Sequence, residues 1–463
     1  MLFVKGTIGF KKSLLSILLI VLLVVSPMVP VWAEDQLVPD FSPWALQDLN
    51  EGERYGIFET SWYYEDFRNQ ITPERAGGLI EGVERRLVLL GFEAADDFSL
   101  QAFDSPMTRG DYLKELYRLL GFYSYEVGGS PEELFTKLGV LKGTGIGYAL
   151  DSPCTTEHGV VFGTRLIQAL YSELGEGSKG FMWLAEKGDN KVYLLGSIHI
   201  GDSGVYPVND SIRKAFDESQ SLYVEANLFD QSGGMEYFME KSMYQDGTTI
   251  KDHIPEELYA KVVKALELYG IPYDAYSSFK PWSLANNLNA IHASSSGSLE
   301  GGQQAAMLGI DIYFMTNAML AEMPIVELEG IAFQADMFDG LSMEVQEMYL
   351  ESIVDSILEP SEKEDDEQDL LKEWLMQWQK GDHESFTESY MNSVEEEDEA
   401  SKELTMMLFG ERDKNMANKI MALLDTEGEA TYFLVVGAGH FTVENSIIDR
   451  LQASGYNVQY IAK

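Results

Sequence analysis

The stretch "KVYLLGSIHIGD", residues 191–202, decides how this chain is read. Val192 to Leu195 is an unbroken apolar run, as a strand covered on both faces requires. Gly196 then permits a tight turn and close backbone approach, and His199 emerges at the strand's carboxyl end. The next segment, "NDSIRKAFDESQ", offers Asn209 as an N-cap and carries an amphipathic helical pattern. "SLYVEANL" follows as a second strand, with Glu225 near its end. Strand, helix and strand within about 40 residues form a βαβ unit, which predicts parallel neighbouring strands. His199 and Glu225 then project from one edge of the sheet, the edge where ligands bind in open α/β folds.

Downstream, "ATYFLVVGAGH" (430–440) repeats the device, with Gly437 and Gly439 around the turn that leads to His440. "VENSIIDRLQASG" supplies a helix ending at Gly455, and "YNVQYIA" a last strand. If the strand of 431–436 lies beside that of 192–195, the two histidines face one another. His199, His440 and Glu225 would then make a three-ligand site for a divalent metal, with open positions for water and substrate. The plainer reading is that both histidines hydrogen-bond within glycine turns after buried strands. Spacing alone supports either.

Outward from these motifs, three regions are expected. Residues 1–33 have a basic leader (Lys5, Lys11, Lys12), an apolar stretch from Leu14 to Val25 and a small-residue end at Val31-Trp32-Ala33, the layout of a secretory signal peptide. The apolar stretch is short for a stop-transfer helix; an uncleaved anchor is the rival and would be the one route to a membrane. Residues 34–178 are expected to form a smaller, mostly α-helical domain. "ITPERAGGLIEGVERRLVLLG" from Ile71, "MTRGDYLKELYRLLG" from Met107 and "CTTEHGVVFGTRLIQALYSELG" from Cys154 each place Thr where an N-cap belongs, followed by an amphipathic run. "GEGSKG" (175–180) reads as a linker. Residues 179–463 read as an α/β domain: a mixed, mostly parallel sheet flanked by helices, with a helical insertion from about 229 to 300. "SSSGSLEGGQQ" (294–304) reads as a flexible loop rim, and the acidic runs 359–369 and 394–400 as solvated helix faces.

Composition limits the function classes. Seventy-six acidic residues against 33 basic give a formal charge of −43, which repels nucleic acid and anionic membranes. The lone Cys154 cannot form an intrachain disulfide and reads as a small buried residue. Together with the lysine-rich leader, this suggests Gram-positive-type export to a secreted or cell-surface location. No HExxH motif is present, which excludes a zincin arrangement.

The three helical repeats resemble the S-layer homology repeat, and "FSPWALQDLNEGERYGIFE" (41–59) looks like the segment that precedes its motif. That resemblance implies binding of cell-wall polysaccharide through residues 34–178. Only Met107-Thr108-Arg109 keeps the Thr-Arg pair, so a plain helical scaffold is the alternative. The region from about 181 onward resembles the TraB/GumN family, relatives of the Tiki metalloproteases. The residues that carry it are Gly196-Ser197-Ile198-His199, Glu225 in "LYVEAN", and Gly437-Ala438-Gly439-His440. "KPW" (280–282), "GIDIYF" (309–314), "VELEGIAFQADMFDGLS" (326–342) and "ERDKNMANKI" (411–420) support it. The resemblance implies a metal-dependent hydrolase, a peptidase using Mn, Co or Zn or a protein that silences peptide signals. The alternative is a non-catalytic, wall-associated protein that captures a peptide or other ligand. His199 and His440 would be metal ligands, and Glu225 a ligand or the general base. Arg412 would stabilise an oxyanion or anchor a substrate carboxylate, or else tie a helix to the sheet by an ion pair. Asn415 would hydrogen-bond the same site. Asp311 and Glu329 either support the ligands or merely end a helix and a strand, and His158, His253, His292 and His383 are surface or loop residues.

Overall fold

The computed structural model describes residues 39–95, 107–143, 145, 147–294, 298–358, 367–393 and 399–462. The expected leader and most of both acidic runs lie outside those residues. Two compact units are present. One comprises Lys179–Gly201 and the described residues from Lys214 onward; the other comprises the described residues up to Ser178 together with Asp202–Arg213. Among the described residues no helix is long and apolar enough to cross a membrane.

The N-terminal unit is helical, with principal helices Leu46–Arg54, Pro73–Leu89, Arg109–Phe122 and Thr156–Leu174. The last of these packs against the other three. Each of the three motif threonines does cap its helix. Thr72, Thr108 and Thr155 accept from the N–H groups of Arg75, Asp111 and His158 at 3.1–3.2 Å. Such a cap stabilises a helix by about 1 kcal/mol. Arg109, of the retained Thr-Arg pair, is buried with its guanidinium 5.1 Å from the centre of the Phe162 ring.

The other unit is built on a six-stranded sheet flanked by helices. Its strands are β1 (Phe181–Lys187), β2 (Asn190–Ser197), β3 (Leu222–Val224), β4 (Ile325–Glu327), β5 (Thr431–Gly437) and β6 (Asn457–Tyr460), in the spatial order β4-β3-β5-β2-β1-β6. β4, β3, β5 and β2 run parallel; β1 forms an antiparallel hairpin with β2, and β6 pairs antiparallel with β1. The sheet departs from expectation at one point. β3 is parallel to β2 but is not its neighbour, because β5 lies between them. β4 is a further strand, three residues long and half exposed, with too little apolar pattern to announce itself.

Both faces of the sheet are covered. Phe314, on the helix Ile310–Leu320, packs 4.9 Å from Phe433 of β5 and 5.3 Å from Phe216. The helix Gly410–Leu424 packs on β1 and β2. Its buried positions, Arg412, Asp413, Met416, Ala417, Ile420 and Leu424, form one stripe at helical spacing. The insertion is helical, as expected, but Leu299–Met307 is a helix and not part of a loop rim.

Candidate functional site

Strand register brings the three chemistry-bearing side chains to one edge. Ser197 is level with Gly437 across β2 and β5, and Val224 is level with Val435 across β3 and β5. The two Gly-x-x-His motifs are therefore offset by one rung, with Gly437 opposite Ser197 and not Gly196. Past that rung, His440 sits in a short 3-10 turn, Ala438–Phe441. Gly196 is closely packed, since a Cβ there would lie 3.2 Å from Ala438.

Glu225 is the hub. Its Oε1 accepts from the Gly437 N–H at 2.7 Å and stands 3.7 Å from His440 Nε2. Its Oε2 accepts from Arg412 Nη2 at 2.9 Å and from Gln334 Nε2 at 3.3 Å. Each histidine is held from behind by a buried carboxylate. His440 Nδ1 meets Asp413 Oδ1 at 2.5 Å, and His199 Nδ1 meets Asp311 Oδ2 at 2.8 Å. Asp311 Oδ1 also accepts from the Ser197 hydroxyl at 2.8 Å. A carboxylate only accepts, so in both pairs Nδ1 is the donor and Nε2 is left to face the site.

Gly437 keeps the space between these groups clear. A Cβ on it would lie 3.1 Å from His199 Nε2 and 3.4 Å from Glu225 Oε1. Its φ of −51° suits any residue, so the glycine is a matter of room and not of backbone conformation. Among the described residues, no three His, Cys, Asp or Glu side chains are drawn close enough to count as a complete ligand set. The donor chemistry nonetheless fits a divalent cation. Two imidazoles with fixed tautomers stand beside one carboxylate, and His199 Nε2 and Glu225 Oε1 border a gap that a methyl group on Gly437 would fill.

Charge shapes the site as strongly as geometry. Burial works against an ionised Glu225, but His440, Arg412, His199 and the Gly437 N–H outweigh it and hold the carboxyl well below the ordinary range. A carboxylate held so low is a weak proton acceptor, which favours Glu225 as an anionic ligand over Glu225 as a general base. Burial likewise opposes a charged His199, yet Asp311 and Glu225 prevail and raise its imidazole to about 9. A cation must compete with that proton.

Arg412 sits behind Glu225. Its Nε and Nη2 donate to both oxygens of Glu329 at 2.8 and 2.7 Å, and Nη1 donates to the Leu408 carbonyl at 2.9 Å. The guanidinium thus ties its helix to the carboxylates at the sheet edge, as the ion-pair alternative expected. Glu329 and Asp311 both belong to the site as partners of site residues. Asn415 does not. It is exposed: Arg412 lies at one edge of the buried stripe, and the step from Arg412 to Asn415 falls beyond that edge. Sequence reasoning missed Asp413, Ser197 and Gln334. For Asp413 a signal existed, since two adjacent charged residues fall on the apolar stripe of an otherwise amphipathic helix.

A pocket of about 90 Å³ opens above these groups, with His199, Glu225, Arg412 and His440 on its floor and an apolar wall that includes Leu371, Trp374, Phe386, Leu408 and Phe409.

The family model described as TraB/PrgY/gumN matches residues 181–460. The "Metalloprotease TIKI homolog" of Nematostella vectensis is 41% identical over 54 residues, 12% of this chain and 12% of that one. "Metalloprotease TIKI1" of Danio rerio is 40% identical over 53 residues, 11% of each chain. "Metalloprotease TIKI2" of Xenopus tropicalis is 38% identical over 53 residues, 11% of this chain and 10% of that one. The chain therefore spans about a tenth of the length of these curated relatives. No solved structure matches. With the matched region covering well over half of its residues and containing every group of the sheet-edge cluster, the chain belongs to the TraB/PrgY/gumN family.

Proposed function

We propose that this chain is an exported, metal-dependent hydrolase acting on peptides. The observation that carries the reading is the pair of imidazoles, each fixed through Nδ1 by a buried carboxylate, with His199 Nε2 beside the space that Gly437 leaves and His440 Nε2 3.7 Å from Glu225 Oε1. His199, His440 and Glu225 would hold a divalent cation of the Mn, Co or Zn type. Such a cation supplies Lewis acidity and lowers the pKa of water at the site. The chain's own groups do the rest. Asp311 and Asp413 orient the ligands, Arg412 keeps Glu225 anionic, and the aromatic wall excludes bulk water while receiving an apolar part of the substrate. The short matches to metalloproteases support the same reaction class. In this reading the Thr-capped helices of the N-terminal unit retain the exported protein at the cell wall.

The test uses purified full-length protein stripped with EDTA and reloaded with Mn, Co or Zn, offered a peptide library. Cleavage should require metal and vanish in His199→Ala and in His440→Ala, and bound metal should fall from one equivalent in both. Cleavage that survives EDTA and both substitutions would sink the proposal. Tight peptide binding indifferent to metal, without cleavage, would point to capture instead.

A further inference from the structure

We propose that the Tyr390 hydroxyl is a catalytic hydrogen-bond donor that engages the substrate's carbonyl oxygen as it gains negative charge. The proposal rests on the hydrolase reading above, which supplies the carbonyl. Tyr390 belongs to the helix His383–Ser393 and lines the same pocket as Glu225 and His440. Its ring is fixed by aromatic neighbours, with centroids 5.3 Å from Phe386 and 5.3 Å from Trp374. The residue is only 7 % exposed, yet among the described residues its hydroxyl has no hydrogen-bond partner. The oxygen is not itself sealed off, and Tyr390 lines the pocket, so the hydroxyl is free to donate to a group that enters.

The second glycine of Gly437-Ala438-Gly439-His440 supports this independently. A Cβ at Gly439 would overlap the Tyr390 hydroxyl and lie 2.8 Å from its Cζ. Gly439 has no positive φ, so its backbone does not call for glycine. It is small so that the phenol can reach the turn carrying His440. Burial raises the hydroxyl far above its ordinary value, and the charges of Asp413 and Glu225 add to this, so the group remains a donor at any working pH. The phenol transfers nothing: hydroxide, its proton already lost to solvent, forms the new C–O bond, the carbonyl π pair moves onto oxygen, and the phenol donates to that oxygen without giving up its own proton.

Tyr390→Phe removes only the hydroxyl and keeps the stacked ring. The probes are N-acetyl phenylalanyl-leucine amide and the same compound with a tetrahedral phosphinic group in place of its internal amide, titrated calorimetrically into Mn-loaded full-length protein. Tyr390→Phe should weaken the phosphinic compound about 10- to 100-fold, the range of a hydrogen bond to a charged oxygen, and change the amide compound less than about twofold. Its urea midpoint should match wild type. Equal loss for both compounds, no loss for either, or no phosphinic binding even to wild type would overturn the assignment. Selective loss in a protein that cleaves no peptide would instead retain Tyr390 as the donor and discard the hydrolase reading.

Discussion

Replacing Arg412 by Met tests whether the sheet edge is held together by charge. The Arg412, Glu225 and Glu329 side chains are 7, 11 and 5 % exposed, so the near-zero value of a surface ion pair does not apply. The substitution keeps most of the side-chain volume but leaves two buried carboxylates without their cation and the Leu408 carbonyl without a donor. Breaking a buried pair from one side costs about 3–5 kcal/mol. Urea unfolding at pH 7 should show the midpoint falling by that amount at unchanged slope. The cost should depend on acidity with a definite sign. Glu225 titrates lower in the folded chain than its ordinary 4.5, so its stabilisation is present above 4.5 and is lost as the pH falls further. Arg412→Met should therefore be most damaging above pH 4.5 and less so below. Adding Glu329→Gln removes one orphaned charge and should recover about 1 kcal/mol or more. A single-variant cost under about 1 kcal/mol, or a double variant worse than Arg412→Met alone, would refute the picture of a charge-locked edge.

Other outcomes follow from the same geometry. Asp413→Asn frees the His440 ring to take the wrong tautomer, and metal affinity measured against a competing chelator should drop about 10- to 100-fold while the fold is kept. Gly437→Ala should leave the unfolding midpoint within about 1 kcal/mol of wild type, since its φ of −51° accepts alanine, yet abolish metal uptake by equilibrium dialysis. His383, packed 4.7 Å from Trp183 and within 6 Å of Phe181 and Tyr460, is driven down to about 4 by burial, with Asp382 opposing. The unfolded chain binds that proton from 6.5 downward, so stability should fall by up to about 3 kcal/mol between pH 6.5 and 4. His383→Phe should flatten that part of the profile.

His199, Glu225 and His440 could be placed from sequence because each follows an apolar run that has no fate but a buried strand. A strand's end fixes where its next residues emerge. Strand order was another matter. β2, β3 and β5 are all short apolar runs, and nothing in their composition says that β5 enters between the other two. The supporting carboxylates were only half legible. Asp311 and Glu329 were suspected by proximity to recognisable segments, whereas Asp413 was hidden beside Arg412. Asn415 was misjudged because Arg412 lies at one edge of its helix's buried stripe, and Asn415 falls beyond that edge. His383 was expected at the surface, but the aromatic residues packed on it, Phe181 and Trp183 of β1 and Tyr460 of β6, lie far from it in the chain. Tyr390 carried no local signal, since its role depends on a glycine 49 residues away.

The placement of β5 has a bearing on biogenesis. A ribosome completes β1 to β4 long before it reaches residue 431, and until then β2 and β3 lack the strand that joins them. Neither His440 nor the Gly437 N–H is yet available to Glu225, and Arg412 has only just been made. A nascent chain therefore cannot assemble the sheet-edge cluster until residue 440 has been made and β5 has entered between β2 and β3.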